Sequence, residues 1–179
     1  LATFSGEAIR PTPDRVREAL FSILLSRCGT LAGARVLDLF AGSGALGIEA
    51  LSRGAARAWF IDSAPQAVKT IGSNLERCKL TAQASVISRD VWLMLPAMTG
   101  SGPFQLIFAD PPYGRGAGPR LLAEIARLRL LAPGGLLVLE TAGSDPVPEE
   151  IPGLLRLDQR RYGTTMIHLF AESASEVKR

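Results

Sequence analysis

The chain has 179 residues, 47% of them hydrophobic, which is enough for one domain with a substantial core and agrees with a globular fold. Its two cysteines, Cys28 and Cys78, lack metal-ligand spacing and His168 is its single histidine, which argues against zinc chemistry and a disulfide framework and for a reducing cytoplasm. The formal charge is +3, and because lysine occurs only at Lys69, Lys79 and Lys178 the positive charge is nearly all arginine, the better fork for phosphate and the better plane for bases; this permits nucleic-acid binding without proving it, and GC-rich coding would give the same bias.

No signal-peptide pattern opens the sequence at Leu1, and Leu1 to Ile9 reads as an arm or an edge strand. Arg10-Pro11-Thr12-Pro13 then sets up a helix start: Pro11 holds Arg10 extended, Thr12 can cap, and Pro13 fits the first helical position. Val16, Leu20, Ile23 and Leu24 follow at helical spacing, with Arg15, Arg17 and Glu18 off that stripe. Gly29 and Gly33 end this amphipathic helix.

Val36 to Gly47, V-L-D-L-F-A-G-S-G-A-L-G, is a buried strand, a tight turn and the start of a helix. Glycine at 42 and 44 lets a small polar ligand lie against bare backbone. Gly42, Gly44 and Gly47 spell G-x-G-x-x-G, the fingerprint that places a pyrophosphate on a helix N-terminus. Asp38, four residues before the first glycine, would repel a pyrophosphate. It suits the ammonium and sulfonium of S-adenosylmethionine, and D-x-F-x-G-x-G, with Phe40 at its third position, is similar to the first motif of class I methyltransferases. A plain strand-to-helix turn with Asp38 as a buried cap is the bland alternative.

Ala58 to Ile61 is a second strand ending at Asp62, twenty positions after Gly42, where such folds grip ribose hydroxyls; a solvated Asp before the helix of Pro65 to Arg77 is the other reading. Val86 to Ser88 is a third strand leading to Asp90, placed to accept from an adenine amino group or equally to cap the brief Val91 to Leu95 helix. Val91 to Ala109 carries no charge, but Pro96 and the run Thr99 to Pro103 break it, so it is no membrane span. Phe104 to Ala109 is a fourth strand, an apolar run but for Gln105, as expected of a parallel strand buried on both faces.

That strand delivers Asp110-Pro111-Pro112-Tyr113, the most specific chemical signal in the chain. Consecutive prolines fix a rigid turn without backbone donors, so the Pro111 carbonyl and the Asp110 carboxylate can stand side by side as acceptors. Two acceptors complement the two N–H donors of an exocyclic amine on a nucleobase. Holding both hydrogens out of the base plane would localise the nitrogen lone pair, so orientation and electrostatics carry the catalysis. Tyr113 offers a face for a base to stack on, and a base so treated must be unpaired or flipped out. A proline-rich turn with an exposed tyrosine is the bland alternative.

Leu121 to Leu130 has helical spacing, Leu136 to Leu139 is a fifth strand after Pro133-Gly134-Gly135, and the stretch with Pro146, Pro148 and Pro152 is a loop. Leu154 to Arg161 and Thr164 to Phe170 form an antiparallel hairpin around Tyr162-Gly163. The pattern predicts an α/β, Rossmann-like doubly wound sheet of seven mostly parallel strands with a C-terminal antiparallel hairpin.

R-P-T-P-D-R-V-R-E-A-L-F-S-I-L (Arg10 to Leu24), the strand and glycine turn through Ala55, F-x-x-I-F-x-D-P-P-Y (Phe104 to Tyr113) and R-Y-G-T-T (Arg161 to Thr165) resemble the RsmD-type bacterial 16S rRNA methyltransferases over nearly the whole chain. The resemblance implies S-adenosylmethionine-dependent methylation of guanine N2 in small-subunit rRNA, within assembled or assembling 30S subunits, by a cytoplasmic enzyme with no metal and no membrane. It implies that Asp38, Phe40, Gly42, Ser43 and Gly44 hold the methionine part, Asp62 the ribose and Asp90 the adenine. Asp110, Pro111, Pro112 and Tyr113 would hold the guanine, and Arg10, Arg15, Arg17, Arg160 and Arg161 are candidates for RNA backbone contacts. The family usually has a basic, glycine-containing segment before R-P-T, which L-A-T-F-S-G-E-A-I lacks.

D-P-P-Y also occurs in adenine-N6 enzymes, so an adenine-N6 methyltransferase on DNA or RNA is the second reading; the base assignment rests on the R-P-T helix and the R-Y-G-T-T hairpin. A dinucleotide-dependent oxidoreductase and an inactive cofactor-binding module are the remaining alternatives.

Overall fold

The structure, a computed structural model, describes residues 14–112 and 116–173. The expected arm at Leu1 to Ile9, Arg10, the capping pair Thr12 and Pro13, and Tyr113 lie outside the described residues. The chain forms two compact units that divide between Met94 and Leu95.

In the first unit the strands β1 (Arg35–Leu39), β2 (Arg57–Asp62) and β3 (Ala84–Ser88) run parallel in the order β3-β2-β1. Parallel neighbours need crossovers, and α2 (Ala45–Ser52) and α3 (Pro65–Cys78) supply them. Helix α1 (Asp14–Cys28) precedes β1, and the short α4 (Val91–Met94) follows β3. Along α3, Ala67, Thr70, Ile71, Asn74 and Leu75 are the buried positions, a three-and-four spacing that turns one stripe of the helix inward. Pro65 opens α3 at its first turn, and Lys79 closes it in a left-handed conformation at φ 59°. Val36, Leu37, Leu39, Phe60 and Ile61 are fully sequestered, each large side chain contributing about 1.5–3 kcal/mol by leaving water. At the start of the strands, Arg35 and Arg57 place their guanidinium carbons 5.2 and 5.3 Å from the Trp59 ring centroid, and Arg57 also donates to Ser85 Oγ at 3.0 Å.

In the second unit β4 (Phe104–Ala109) pairs in parallel with β5 (Leu131–Ala142). Strand β8 (Thr165–Glu172) is antiparallel to β5, and β7 (Leu154–Tyr162) is antiparallel to β8. The short β6 (Glu150–Ile151) completes the order β4-β5-β8-β7-β6. Helix α5 (Ala117–Arg127) buries Gly118, Leu121, Leu122 and Ile125; a Cβ on Gly118 would stand 3.3 Å from Leu139 Cδ2, so the helix lies close on β5. Tyr162 pairs with Thr165 across the two-residue turn Gly163-Thr164, with Gly163 at φ 63°. The amide of Gly143 donates to the Thr164 carbonyl at 2.9 Å, tying this turn to the end of β5.

The α/β class, the mostly parallel sheet and the C-terminal antiparallel hairpin are as the sequence pattern predicts. Three details differ. The strand expected over Leu136 to Leu139 runs from Leu131 to Ala142, because partners on both sides carry its ladder beyond the apolar run. Pro133-Gly134-Gly135 is absorbed as an irregularity: Gly134 has φ 73°, and a Cβ on Gly135 would sit 2.8 Å from the Ala132 carbonyl oxygen and 3.0 Å from that of Phe104. The stretch expected to be loop holds the two-residue β6, an eighth strand among the described residues, whose pairing with Leu154 buries Ile151. The helix expected over Leu121 to Leu130 starts at Ala117 and stops at Arg127, with Arg129 left-handed at φ 50°.

Candidate active site

Strand β1 ends on the glycine turn. Asp38, one residue before the last of that strand, is 4% exposed, and its Oδ2 accepts the Gly47 amide at 2.9 Å. Gly47 is the third residue of α2, whose N-cap, Gly44, has no side chain to offer. The carboxylate of a strand thus caps the helix that follows it. Gly47 must lack a side chain for this: a Cβ there would stand 2.3 Å from Phe60 Cε1 and 3.0 Å from Asp38 Oδ2.

Burial is the main force on Asp38. It raises the pKa to about 8, the Gly47 hydrogen bond opposing and the negative Asp62 adding to the rise. Without a cation nearby, Asp38 is therefore mostly protonated at neutral pH, a point the sequence alone does not reveal.

Between Asp38 and α2 the backbone adopts left-handed angles at Phe40 (φ 57°), Gly42 (55°) and Gly44 (75°). Glycine takes them at no steric cost, whereas Phe40 stores about 1–2 kcal/mol of strain. The Phe40 ring meets Trp92 edge-on, centroids 6.1 Å apart. The turn is held at several points. The Ala41 amide donates to the Ile61 carbonyl at 3.2 Å, the Gly44 amide to the Ala41 carbonyl at 2.7 Å, and the Gly42 amide to Asp62 Oδ2 at 2.9 Å. Asp62 Oδ1 accepts the Ala64 amide at 2.8 Å, so this carboxylate ties the glycine turn to the end of β2. Asn74 of α3 donates from Nδ2 to the Ser43 carbonyl at 3.0 Å.

Sequence reasoning missed Asn74. Its signal was there, a polar residue in the otherwise mainly apolar stripe Ala67, Thr70, Ile71, Asn74 and Leu75.

Asp90 follows β3, and its Oδ1 accepts the Leu93 amide at 3.2 Å, the capping arrangement of α4. In the second unit Asp110 and Pro111 come directly after β4, with Pro111 buried, Asp110 half-buried and Pro112 exposed.

The arginines fare differently. Arg15 is exposed on α1. Arg17 pairs with Asp14 at 2.9 Å and with Glu49 at 3.6 Å. Glu49 also takes Arg53 at 2.7 Å, and Arg53 lies over the Phe21 ring at 5.1 Å. Arg17 thus fastens α1 to α2. Arg160 pairs with Asp158 at 3.2 Å and Arg161 donates to the Gly163 carbonyl at 3.0 Å, and both are exposed on β7; surface pairs of this kind contribute only about 0–1 kcal/mol. Among the described residues no group of three or more metal-ligating side chains gathers, and no helix is long and apolar enough to cross a membrane.

The family model described as "Conserved hypothetical protein 95" matches residues 1–171. The chain is 37% identical over 174 residues to a Bacillus subtilis protein named "Putative rRNA methyltransferase YlbH", covering 95% of this chain and 91% of that one. It is 36% identical over 140 residues to the Escherichia coli protein named "Ribosomal RNA small subunit methyltransferase D", covering 78% and 68%. Among solved structures, a conserved hypothetical protein from Streptococcus pyogenes superimposes with a TM-score of 0.80 at 30% identity, covering 88% of this chain and 96% of that one. With a match that runs through both units and both motifs, the chain belongs to this family, the RsmD family of rRNA methyltransferases.

Proposed function

We propose that the two units act as one methyltransferase domain, which methylates the exocyclic N2 of a guanine in small-subunit 16S rRNA with S-adenosylmethionine as donor. The observation that carries this reading is the buried carboxyl of Asp38 beneath a glycine turn, in a chain whose fourth strand, Phe104–Ala109, leads directly into Asp110-Pro111-Pro112. The relatives named as small-subunit rRNA methyltransferases support the choice of RNA. The substrate would be the 30S particle or its precursor, in the cytoplasm.

The residues fit that donor. Left-handed Gly42 and Gly44 expose backbone rather than side chains, and Asp38 offers a buried carboxyl that would ionise against a cationic amino-acid end. When bound, S-adenosylmethionine supplies a methyl group on a positively charged sulfur. Asp38, Phe40, Gly42, Ser43 and Gly44 would hold its amino-acid part. Asp62 keeps a second lone pair on each oxygen for ribose hydroxyls while it ties the turn, and Asp90 would accept from the adenine amine as well as cap α4. Asp110 and the Pro111 carbonyl accept the two amine hydrogens of the target base, localising its lone pair, while Pro112 keeps the corner rigid. Tyr113 would stack on the flipped-out base, worth ~1–3 kcal/mol. Arg10, Arg15, Arg160 and Arg161 would meet RNA phosphates, Arg17 contributing mainly by fixing α1.

The test is to incubate the protein with labelled S-adenosylmethionine and unmodified small subunits, digest the rRNA and identify the nucleoside by mass spectrometry. N2-methylguanosine at one position is expected. Label in N6-methyladenosine would replace this reading with the adenine one.

A further inference from the structure

The glycine turn is not held by its own hydrogen bonds alone. Its middle residue, Ser43, lies between two left-handed glycines, Gly42 at φ 55° and Gly44 at φ 75°. Glycine permits nearly all backbone angles, so the peptide plane joining Ser43 to Gly44 can rotate with little steric resistance. Rotation would swing the Ser43 carbonyl to one side and the Gly44 amide to the other, because a trans peptide points the two in opposite directions.

Helix α3 prevents this. Asn74 is fully buried, and its Nδ2 donates to the Ser43 carbonyl at 3.0 Å across 31 residues of chain. One turn earlier on the same face, Ile71 reaches to 3.2 Å from where a Gly44 Cβ would be. On the far side of the same peptide plane, the Gly44 amide closes on the Ala41 carbonyl at 2.7 Å. A buried amide in a helix interior is costly on two counts, helix propensity and desolvation, and leucine would fill the stripe better. The residue is therefore explained by what it holds.

We propose that Asn74 is a positioning residue for the methyl donor, fixing the Ser43-Gly44 peptide so that the turn stays in the conformation that receives the donor's amino-acid end. The inference rests on the S-adenosylmethionine reading of this turn. Asn74 touches the turn and not the reacting atoms.

The decisive variants are Asn74→Leu, which keeps the branched side-chain skeleton of asparagine though its methyl groups are bulkier, and Asn74→Asp, which is nearly its size; both lack the Nδ2 donor. Binding of S-adenosylhomocysteine and S-adenosylmethionine is measured by calorimetry, and the melting temperature without ligand is recorded alongside. Both variants should bind at least 10-fold more weakly, and Asn74→Leu should do so with a melting temperature close to that of the parent. At saturating donor, kcat should return to within about threefold, so the loss falls on KM. Asn74→Ser, smaller and still able to fold around the gap, serves as a third variant and should also lose affinity. Ile125→Val, in α5, should lower the melting temperature without changing affinity, so a fall in affinity that merely tracked stability across the whole set would overturn the proposal. So would affinities of the Leu and Asp variants within twofold of the parent. If the parent itself failed to bind either ligand, the donor reading would fall and this inference with it.

Discussion

The amide of Gly42 donates to the carboxylate of Asp62, twenty residues further on, at 2.9 Å. The residue proposed to hold the donor's ribose is therefore also a strut for the turn proposed to hold the donor's other end. Asp62→Ala should weaken S-adenosylhomocysteine binding by more than a lost ribose contact would, on the order of 2–4 kcal/mol in all, because the amides of Gly42 and Ala64 lose their acceptor too. Calorimetry with methionine-end fragments lacking the ribose checks it. If those fragments bind the variant as they bind the parent, Asp62 touches only the sugar.

If Asp38 holds the donor's cationic end as proposed, donor binding is proton-linked. Its pKa of about 8 in the ligand-free fold, raised chiefly by burial, means that a cationic ligand at neutral pH meets a carboxylic acid and must displace its proton. Affinity for S-adenosylmethionine should rise with pH up to about 8 and then level off. At pH 7 the binding enthalpy should differ between phosphate and Tris buffers by the heat of transferring just under one proton. Asp38→Asn should bind weakly and without buffer dependence. The sign for folding is opposite: a carboxyl whose pKa is raised contributes stability that is complete below its ordinary value near 3.8 and is lost as pH rises through about 8. The ligand-free protein should therefore be less stable at pH 8 than at pH 6 by this group alone, and the donor should restore the difference.

His168 works in the other direction. It is 3% exposed on β8, its Nε2 lies 3.1 Å from Thr141 Oγ1, and among the described residues no partner reaches its buried Nδ1. Burial first, and the positive Arg156 second, lower its pKa to about 4. Stability from the neutral ring is present above about 6.5 and is lost as pH falls toward 4, on the order of 3 kcal/mol at most. Urea unfolding between pH 7 and pH 4 should show this slope in the parent and a flatter one in His168→Leu. Equal slopes would assign the acid sensitivity to carboxylates.

Gly47 is a packing requirement. Its missing Cβ is the space taken by the Phe60 ring, 2.3 Å from where that atom would be. Gly47→Ala should cost about 1–3 kcal/mol. Phe60→Leu alone should also destabilise, but the double variant should be more stable than the sum of the two, and a coupling energy near zero in that cycle would show that α2 simply shifts.

Asp110, proposed to hold the target base, should separate binding from chemistry. Asp110→Ala should lower kcat about 10²–10³-fold, the typical loss when one preorganised polar group at a reacting centre is removed. S-adenosylhomocysteine should bind unchanged, and a large loss of ligand affinity would place Asp110 with the donor rather than with the base.

What the sequence made legible follows from where its signals are local. Asp38 and the glycines of the turn lie within seven positions, and strands such as Phe104–Ala109 are apolar runs broken at most by one residue, here Gln105, so the turn and the core strands could be read directly. Partnerships across distance could not. The charge of Arg17 is plain in the sequence, but nothing there says that Glu49, 32 residues on, would take it up. The same holds for the Gly42 amide on Asp62 and for the Ser43 carbonyl on Asn74. Strand β6 escaped because two residues among prolines carry no period, and β5 ran long because its ladder follows its neighbours rather than its own hydropathy.

The edge-on meeting of Phe40 and Trp92 gives the protein an optical handle of its own. The other tryptophan, Trp59, is clasped by Arg35 and Arg57 at the far ends of the strands, so it provides a constant background. Indole emission from position 92 can then be followed as the turn fills, and Trp92→Phe supplies the blank, so occupancy becomes visible without label, radioactivity or turnover.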